Sequence, residues 1–250
     1  MKNTRSAALA ALSTAFALSA ATLASPAHGQ DMRPPERQLV GEFALGGSFA
    51  NGNTEHRAIS LDGKAVYRAG RVEDKYKAAF EFVDNGAITI AKRWMVGAQS
   101  SVDIQDGLYA FGYGNYEDDR FTGYNYELDG GIGAGYRIIR TESALLSFEA
   151  GPGYRYSKLP APLTKEKKLY ARGVINFQYV ISGNAKIENE TTVRWDSLRT
   201  KIDNVFAVTS KFTTTLSGRL SVEVKHNSKP PALGINKTDT LTKASVLYSF

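Results

Sequence analysis

The chain has 250 residues, of which 42% are hydrophobic, and its 31 Lys and Arg against 25 Asp and Glu give a formal net charge of +6. Its mean hydropathy of −0.29 excludes a helical membrane protein with several spans, because each span needs about 20 nearly continuous apolar residues. The lack of cysteine excludes disulfide scaffolds, thiolate metal sites and cysteine nucleophiles, and the length fits one domain.

Residues 1–27 have the pattern of a cleavable secretory signal peptide. Lys2 and Arg5 give a positive start, residues 6–24 are uncharged and rich in Ala and Leu, and Ser-Pro-Ala at 25–27 offers a cleavage site. The alternative, a membrane anchor, would need a longer apolar stretch. Cleavage leaves a charge of 6 − 2 = +4, too mild and evenly spread to indicate a nucleic-acid partner. We predict that the polar residues 28–39 form a periplasmic N-terminal arm.

From residue 40 to the C-terminus, apolar and polar residues alternate with a period of two. In segment 124–140, Tyr, Leu, Ile and Ala occupy one parity, whereas polar residues and glycine occupy the other. This period indicates β-strands with one apolar face, and no stretch after residue 40 has the spacing of a helix. The pattern predicts about twelve strands in 40–250, or ten if two early segments are misread.

Short and long connections alternate along these strands. Tight turns are predicted at 140–143, 182–185 and 216–219, and longer loops at 117–124, 158–168 and 228–239. This alternation and the length of the strands are typical of barrels that cross a membrane, which also satisfy every backbone group inside hydrocarbon. We therefore predict an all-β fold, a transmembrane antiparallel up-and-down β-barrel in the bacterial outer membrane. Its predicted aromatic girdles contain Trp94, Tyr124, Tyr126, Tyr154, Tyr156 and Trp195.

The polar parity of the predicted strands carries most of the charge. If the apolar parity faces lipid, these charges line the lumen, where they form either a mutually neutralising plug or a narrow, water-filled passage for small solutes or ions. The sequence does not separate the two. The candidate lumen residues are Glu127, Asp129, Arg137, Glu149, Arg155, Arg172, Glu188, Glu190, Arg194, Lys211, Glu223, Lys225 and Lys243. Gly131, Gly133 and Gly135 are expected to leave room there for long side chains or water.

The last predicted strand ends in an aromatic residue. Val246, Tyr248 and Phe250 share its apolar face, and Phe250 is the terminal residue. Such a strand resembles the assembly signal that the barrel-assembly machinery reads in outer-membrane proteins, and it offers an edge ready to pair with the first strand.

Residues 226–228 suggest one enzymatic alternative. His226 and Ser228 share the lipid-facing parity, and such a pair is similar to the base and nucleophile of outer-membrane lipid A deacylases. Lys229-Pro230-Pro231 follow here, whereas small residues follow the serine in the deacylase motif. We therefore expect no enzyme activity, and the sequence offers no metal or cofactor site.

Three segments resemble one family. They are 41–55 (GEFALGGSFANGNTE), 116–137, with YEDDRFTG and GIGAGYR, and 227–250, with NSKPP, KTDT and a final YSF. These segments resemble the YdiY-like family of salt-induced outer-membrane proteins, whose function is largely unknown. The resemblance implies an outer-membrane β-barrel with a link to salt stress. The partners expected of a barrel in that membrane are outer-membrane lipid and lipopolysaccharide. It implies no catalytic residues.

Overall fold

The computed structural model describes residues 37–51, 56–84, 89–119, 124–159, 165–230 and 235–250. These residues form a closed barrel of twelve antiparallel strands in which β1 also pairs with β12, so the predicted fold class is confirmed. The strands are β1 (Arg37–Asn51), β2 (His56–Ala69), β3 (Val72–Asp84), β4 (Thr89–Gln105), β5 (Leu108–Asp119), β6 (Tyr126–Arg140), β7 (Ala144–Lys158), β8 (Lys165–Ser182), β9 (Ala185–Trp195), β10 (Thr200–Lys211), β11 (Leu216–Asn227) and β12 (Thr238–Ser249). The predicted signal peptide lies outside the described residues, and β1 begins at Arg37, before the predicted start at 40.

The connections divide between two ends of the barrel. At the turn end, β2–β3 and β4–β5 are joined by two residues each, and Gly70 and Gly107 take the left-handed conformation (φ 58° and 75°) that such turns require. The β10–β11 turn lies at 212–215 rather than at the predicted 216–219, because the Thr213 hydroxyl accepts a hydrogen bond from the N–H of Leu216 (2.9 Å). The opposite, loop end carries the longer connections.

The two faces of the wall are inverted relative to a soluble protein. Large apolar side chains point outward, with Leu169 74% and Ile132 68% exposed. Charged side chains point inward, where Glu149 and Arg155 are each 2% exposed. Within the described ranges, no helix has the length and apolar character to cross a membrane.

Aromatic rings form a continuous row on the outer wall near the loop end. Trp94 contacts Tyr116 (4.7 Å between ring centroids), Tyr116 stacks on Tyr126 (5.7 Å), and Tyr126 stacks on Tyr156 (6.1 Å). This row crosses β4 to β7 and fits a membrane interface. The expectation for Tyr124 was wrong: it precedes β6, is buried, and its hydroxyl accepts a hydrogen bond from Arg199 inside the barrel.

Inside the barrel, the glycines of β6 make room for the aromatic residues of β5. The register sets Tyr109 beside Gly135, Phe111 beside Gly133 and Tyr113 beside Gly131. A Cβ on Gly135 would lie 2.3 Å from the Tyr109 ring, and one on Gly133 would lie 2.6 Å from the Phe111 ring. The space is therefore filled mainly by these rings rather than by the long charged chains or water that the sequence suggested. The Arg172 guanidinium covers the Tyr113 ring at 4.3 Å.

The terminal residue closes the barrel. Gly41 and Phe250 exchange two backbone hydrogen bonds of 3.0 Å, and the Phe250 ring stacks on Phe43 at 5.6 Å between centroids. A Cβ on Gly41 would lie 2.4 Å from the Phe250 ring, so glycine is required beneath it. Val246, Tyr248 and Phe250 are all exposed on the outer wall. Their role in assembly stays a prediction.

Candidate functional site: a layer of ion pairs across the lumen

Charged side chains bridge the lumen in its loop-end half. Lys225 on β11 donates to Glu117 Oε1 on β5 at 2.6 Å, and these strands are six places apart in the ring of twelve, so the pair joins opposite walls. Arg93 on β4 reaches Glu223 on β11 (Nη2–Oε1, 3.1 Å) and also Glu117 (3.3 Å). We call these residues, together with those around Glu127 and Arg194 described next, the cross-lumen layer.

Glu127 gathers three cations on its side of the layer. Its carboxylate accepts from Lys201, from Arg199 Nη2 (3.3 Å) and from the Ser157 hydroxyl (2.7 Å), and Arg155 Nε lies 3.6 Å away. Lys201 and Arg199 belong to the β9–β10 side of the barrel, four strands from Glu127 on β6. The burial of Glu127, Arg155 and Arg199 makes pairing necessary, because an unpaired buried charge is strongly destabilising.

Asp196, in the loop-end turn between β9 and β10, anchors this cluster. Its Oδ1 accepts from the N–H groups of Leu198 (2.7 Å) and Arg199 (3.0 Å), and its Oδ2 pairs with Arg155. Burial raises the pKa of Asp196, but the two backbone hydrogen bonds and the Arg155 charge outweigh burial and leave the pKa below its ordinary value. Asp196 is therefore an anion that fixes the Arg155 guanidinium in place.

Arg194 connects the layer to the aromatic residues. Its Nη1 donates to Asp203 Oδ2 at 2.5 Å, and its Nε lies 4.0 Å from Asp129. Asp129 Oδ1 also accepts from the Tyr170 hydroxyl (2.8 Å), which shares a 2.7 Å hydrogen bond with the Tyr113 hydroxyl. Charged and phenolic groups thus form one network across β5, β6, β8, β9 and β10.

Smaller groups of ion pairs line the rest of the lumen. Their shared feature is a carboxylate that joins strands beyond its immediate neighbour. These contacts are Glu149 with Arg172 (2.9 Å), Gln99 (2.8 Å) and Tyr109 (3.0 Å), Arg219 with Glu42 (2.6 Å) and Glu188 (3.2 Å), Lys243 with Glu81 (2.8 Å), and Arg137 with Asp103 (2.6 Å).

Two predicted lumen residues differ from the others. Glu190 lies on the inward parity of β9 but makes no ion pair within 4 Å to any described residue. Lys211 is the last residue of β10 and is exposed at the turn end, because the strand ends there rather than at 216. The structure thus places Lys211 at the rim, outside the network.

Sequence reasoning missed about half of the network. Most of the missed residues share the inward parity of their strands, so correct strand registers would have found them, whereas Asp196 and Arg199 lie in a turn that has no periodic signal. The missed residues are Glu42, Asp62, Glu81, Arg93, Asp103, Glu117, Glu166, Asp196, Arg199, Lys201, Asp203 and Arg219.

Solvent reaches the layer from both sides. At the loop end, an open pocket is lined by layer residues such as Glu117, Lys201 and Lys225. Toward the turn end, the side chains of Lys64 and Lys75 are 58% and 46% exposed. The lumen therefore has a wet space on each side of a constriction made of ion pairs.

The geometry gives no catalytic dyad at His226 and Ser228. His226 Nδ1 hydrogen-bonds the Thr238 hydroxyl (2.9 Å), whereas the Ser228 hydroxyl accepts from the backbone N–H of Thr200 (2.8 Å). Each group is thus engaged by a different partner. Within the part of the chain that the structure describes, no three His, Cys, Asp or Glu residues are grouped to hold a metal ion.

A family model described as a protein of unknown function, DUF481, matches residues 43–250. The chain belongs to this family. The uncharacterized protein YdiY of Escherichia coli (strain K12) is 26% identical over 226 residues, which cover 88% of this chain and 86% of YdiY. The predicted YdiY-like family is therefore confirmed.

Among solved structures, the NanC porin superposes with a TM-score of 0.56 at 10% identity, over 82% of this chain and 98% of NanC. The KdgM porin matches with a TM-score of 0.49 at 12% identity, over 84% of this chain and 99% of KdgM. The likeness to NanC shows that this DUF481 barrel has the fold of a porin.

Proposed function

We propose that this barrel is a narrow passive channel of the bacterial outer membrane, with the cross-lumen layer as its constriction. The apolar outer wall and the aromatic row near the loop end support a membrane location. The exported N-terminus that the sequence predicts supports the outer membrane. The solutes are small ions, because the wet spaces on both sides of the layer are separated by paired side chains.

The Lys225–Glu117 bridge is the observation that carries the proposal. It spans opposite walls and contacts the Arg93–Glu223 pair through Arg93 and Glu117 (3.3 Å), so an ion moving along the lumen has to pass beside this cluster of four side chains. The two side chains are half-buried, and removing one partner would leave the charge of the other without its partner, so both should be changed together. The neutral pair Glu117→Gln with Lys225→Met keeps the volume but removes the bridge.

Single-channel recording in a planar bilayer tests the channel. We expect small current steps from the mature protein and a severalfold larger conductance from the Glu117→Gln/Lys225→Met variant. Arg68→Met with Glu73→Gln is the matched control, because that pair (2.6 Å) joins neighbouring strands at the turn end and does not cross the lumen. The proposal is wrong if neither the wild type nor the bridge variant conducts, or if the control raises conductance equally.

A second candidate is a barrel that supports the membrane without conducting. The burial of Glu127, Arg155 and Arg199 around one cluster favours it, because such a cluster can close the loop end completely. This structural role would be selected if neither the wild type nor the Glu117→Gln/Lys225→Met variant conducts, although both insert into the membrane. A lipid A deacylase is disfavoured by the separate hydrogen bonds of His226 and Ser228.

The resemblance to salt-induced proteins adds a proposed physiological setting, which is envelope maintenance under salt stress. A deletion strain should grow normally at low osmolarity and lose viability or change permeability at high salt. Equal behaviour of deletion and parent strains at high salt would remove this part of the proposal.

A further inference from the structure

On the outer wall of β7 and β8, the paired residues change from charged at the loop end to apolar farther down the strands. From the loop end downward, the outward-facing cross-strand pairs are Lys158 with Lys165, Tyr156 with Lys167, Tyr154 with Leu169, Pro152 with Ala171, and Ala150 with Gly173. We call these ten residues the β7–β8 column. A charged top, an aromatic middle and an apolar base match the order of layers in a membrane leaflet.

The lysines at the top of the column have no acidic partner among the residues that the structure describes. All three are exposed, and none makes an ion pair within 4 Å to a described residue. Glu166 lies between two of them in sequence, but it turns inward and pairs with Arg199 at 3.1 Å. Like charges directly opposite on neighbouring strands, as at Lys158 and Lys165, are destabilising unless an anion compensates them.

The base of the column is a shallow trough that internal packing does not require. A Cβ on Gly173 would meet only the Glu149 carbonyl oxygen, at 4.0 Å, so the wall could carry a side chain there. The small pairs of the trough lie between larger exposed residues, with Tyr154 and Leu169 above and Phe148 and Ile175 below.

We infer that the β7–β8 column binds a phosphorylated glycolipid of the outer leaflet, an inference that rests on the proposed outer-membrane location. The lysines contact the phosphate groups, Tyr154 and Tyr156 pack against the sugar, and one acyl chain lies in the trough over Gly173. The lysine side chains are at the loop end, which faces the outer leaflet if the longer loops are extracellular. The negative charge of the phosphate groups is therefore complementary to the positive charge of the three lysines.

Native mass spectrometry of the mature protein in detergent tests this site, with bisphosphorylated lipid A and its fully dephosphorylated form as probes. The wild type should retain the bisphosphorylated form preferentially. Each lysine near an anionic lipid surface contributes about fivefold to binding, so Lys158→Gln/Lys165→Gln/Lys167→Gln should weaken retention by on the order of a hundredfold. Gly173→Leu should weaken the retention of both probes, because it fills the trough.

Two controls match these variants. Arg140→Gln with Lys211→Gln removes exposed charge at the turn end, and Gly47→Leu adds a side chain on the outer wall of β1, where the nearest atom to its Cβ is 3.9 Å away. Both should bind lipid A like the wild type.

Equal retention of the two probes by the wild type, or wild-type retention by the lysine variant, would overturn the inference. Insertion into phospholipid vesicles is measured separately. A protein that inserts but does not retain lipid A refutes only the glycolipid site, whereas failure to insert refutes the proposed location itself.

Discussion

The packing of Tyr109 on Gly135 gives a quantitative prediction about the barrel wall. A Cβ on Gly135 would lie 2.3 Å from Tyr109 Cζ and 2.6 Å from its hydroxyl oxygen, and all three nearest atoms belong to that ring. The ring is buried, and its hydroxyl donates to Glu149 at 3.0 Å, so it cannot move freely. Overpacking of this kind costs about 1–3 kcal/mol, and we expect Gly135→Ala to destabilise the barrel by that amount.

The sign of the effect should reverse when the ring is absent. In a Tyr109→Ala background, itself destabilised by about 3–5 kcal/mol, the clash disappears and only the strand preference for Ala over Gly remains. Gly135→Ala should then stabilise by about 0.5–1 kcal/mol. The coupling between the two positions in the double-mutant cycle is thus about 1.5–4 kcal/mol. Gly47→Ala, whose Cβ would have 3.9 Å of clearance, is the control that should be neutral or stabilising in the wild type.

Urea unfolding in lipid vesicles, followed by tryptophan fluorescence, measures the four free energies of unfolding. The reasoning is refuted if Gly135→Ala costs the same with and without the Tyr109 ring, or if it costs no more than Gly47→Ala. A large cost that persists without the ring would point to backbone strain at Gly135 instead.

Three further predictions concern the cluster at Asp196, the pairing of β1 with β12 that closes the barrel, and the residues His226 and Ser228. Because the pKa of Asp196 is lowered on folding, its ionised form stabilises the barrel above the ordinary pKa of about 3.9, and this contribution is lost as the pH falls through the lowered value. Urea unfolding should therefore show Asp196→Asn less stable than the wild type at pH 7, with a gap that narrows below about pH 4; a constant gap contradicts this. Phe250→Ala should slow folding into vesicles, because it removes the stack on Phe43. Phe212→Ala is the control and should not slow folding, because Phe212 is exposed in the β10–β11 turn. Equal folding rates of the two variants would show that pairing of β1 with β12 does not limit the rate. Lipid A from cells expressing the protein should keep the same mass with or without His226→Ala, and acyl loss that depends on His226 would restore the enzymatic alternative.

The alternation of residues in the middle of the chain was sufficient to predict the barrel. In β6 and β7, parity alone separated outward Ile132 and Tyr154 from inward Glu127 and Arg155, because each strand has one face in a polar lumen and one on the outer wall. The same rule failed at Lys211. There, the polar run 213–215 forms the turn that alternation predicts at 216–219, so a residue expected inside the strand lies at its end.

The cross-lumen contacts could not be predicted in the same way. Parity placed Lys225 in the lumen, whereas residue 117 fell at the edge of a predicted loop. Alternation does not show that the two side chains meet, because their strands are far apart in sequence and opposite in the closed ring. The filling of the β6 glycine positions also depends on register, since it is the pairing of β5 with β6 that brings Phe111 over Gly133. Closure and register are properties of the whole barrel, whereas alternation is local.

The central claim is that the apolar wall contacts lipid and that the charges are enclosed. The chain contains two tryptophans, Trp94 and Trp195, and both lie on the outward parity, so no substitution is needed to report on this wall. Fluorescence in vesicles of lipids brominated on their acyl chains measures the contact directly. The account predicts strong quenching by brominated lipid and weak quenching by iodide in the aqueous phase. Emission that iodide quenches, but brominated lipid does not, would contradict it.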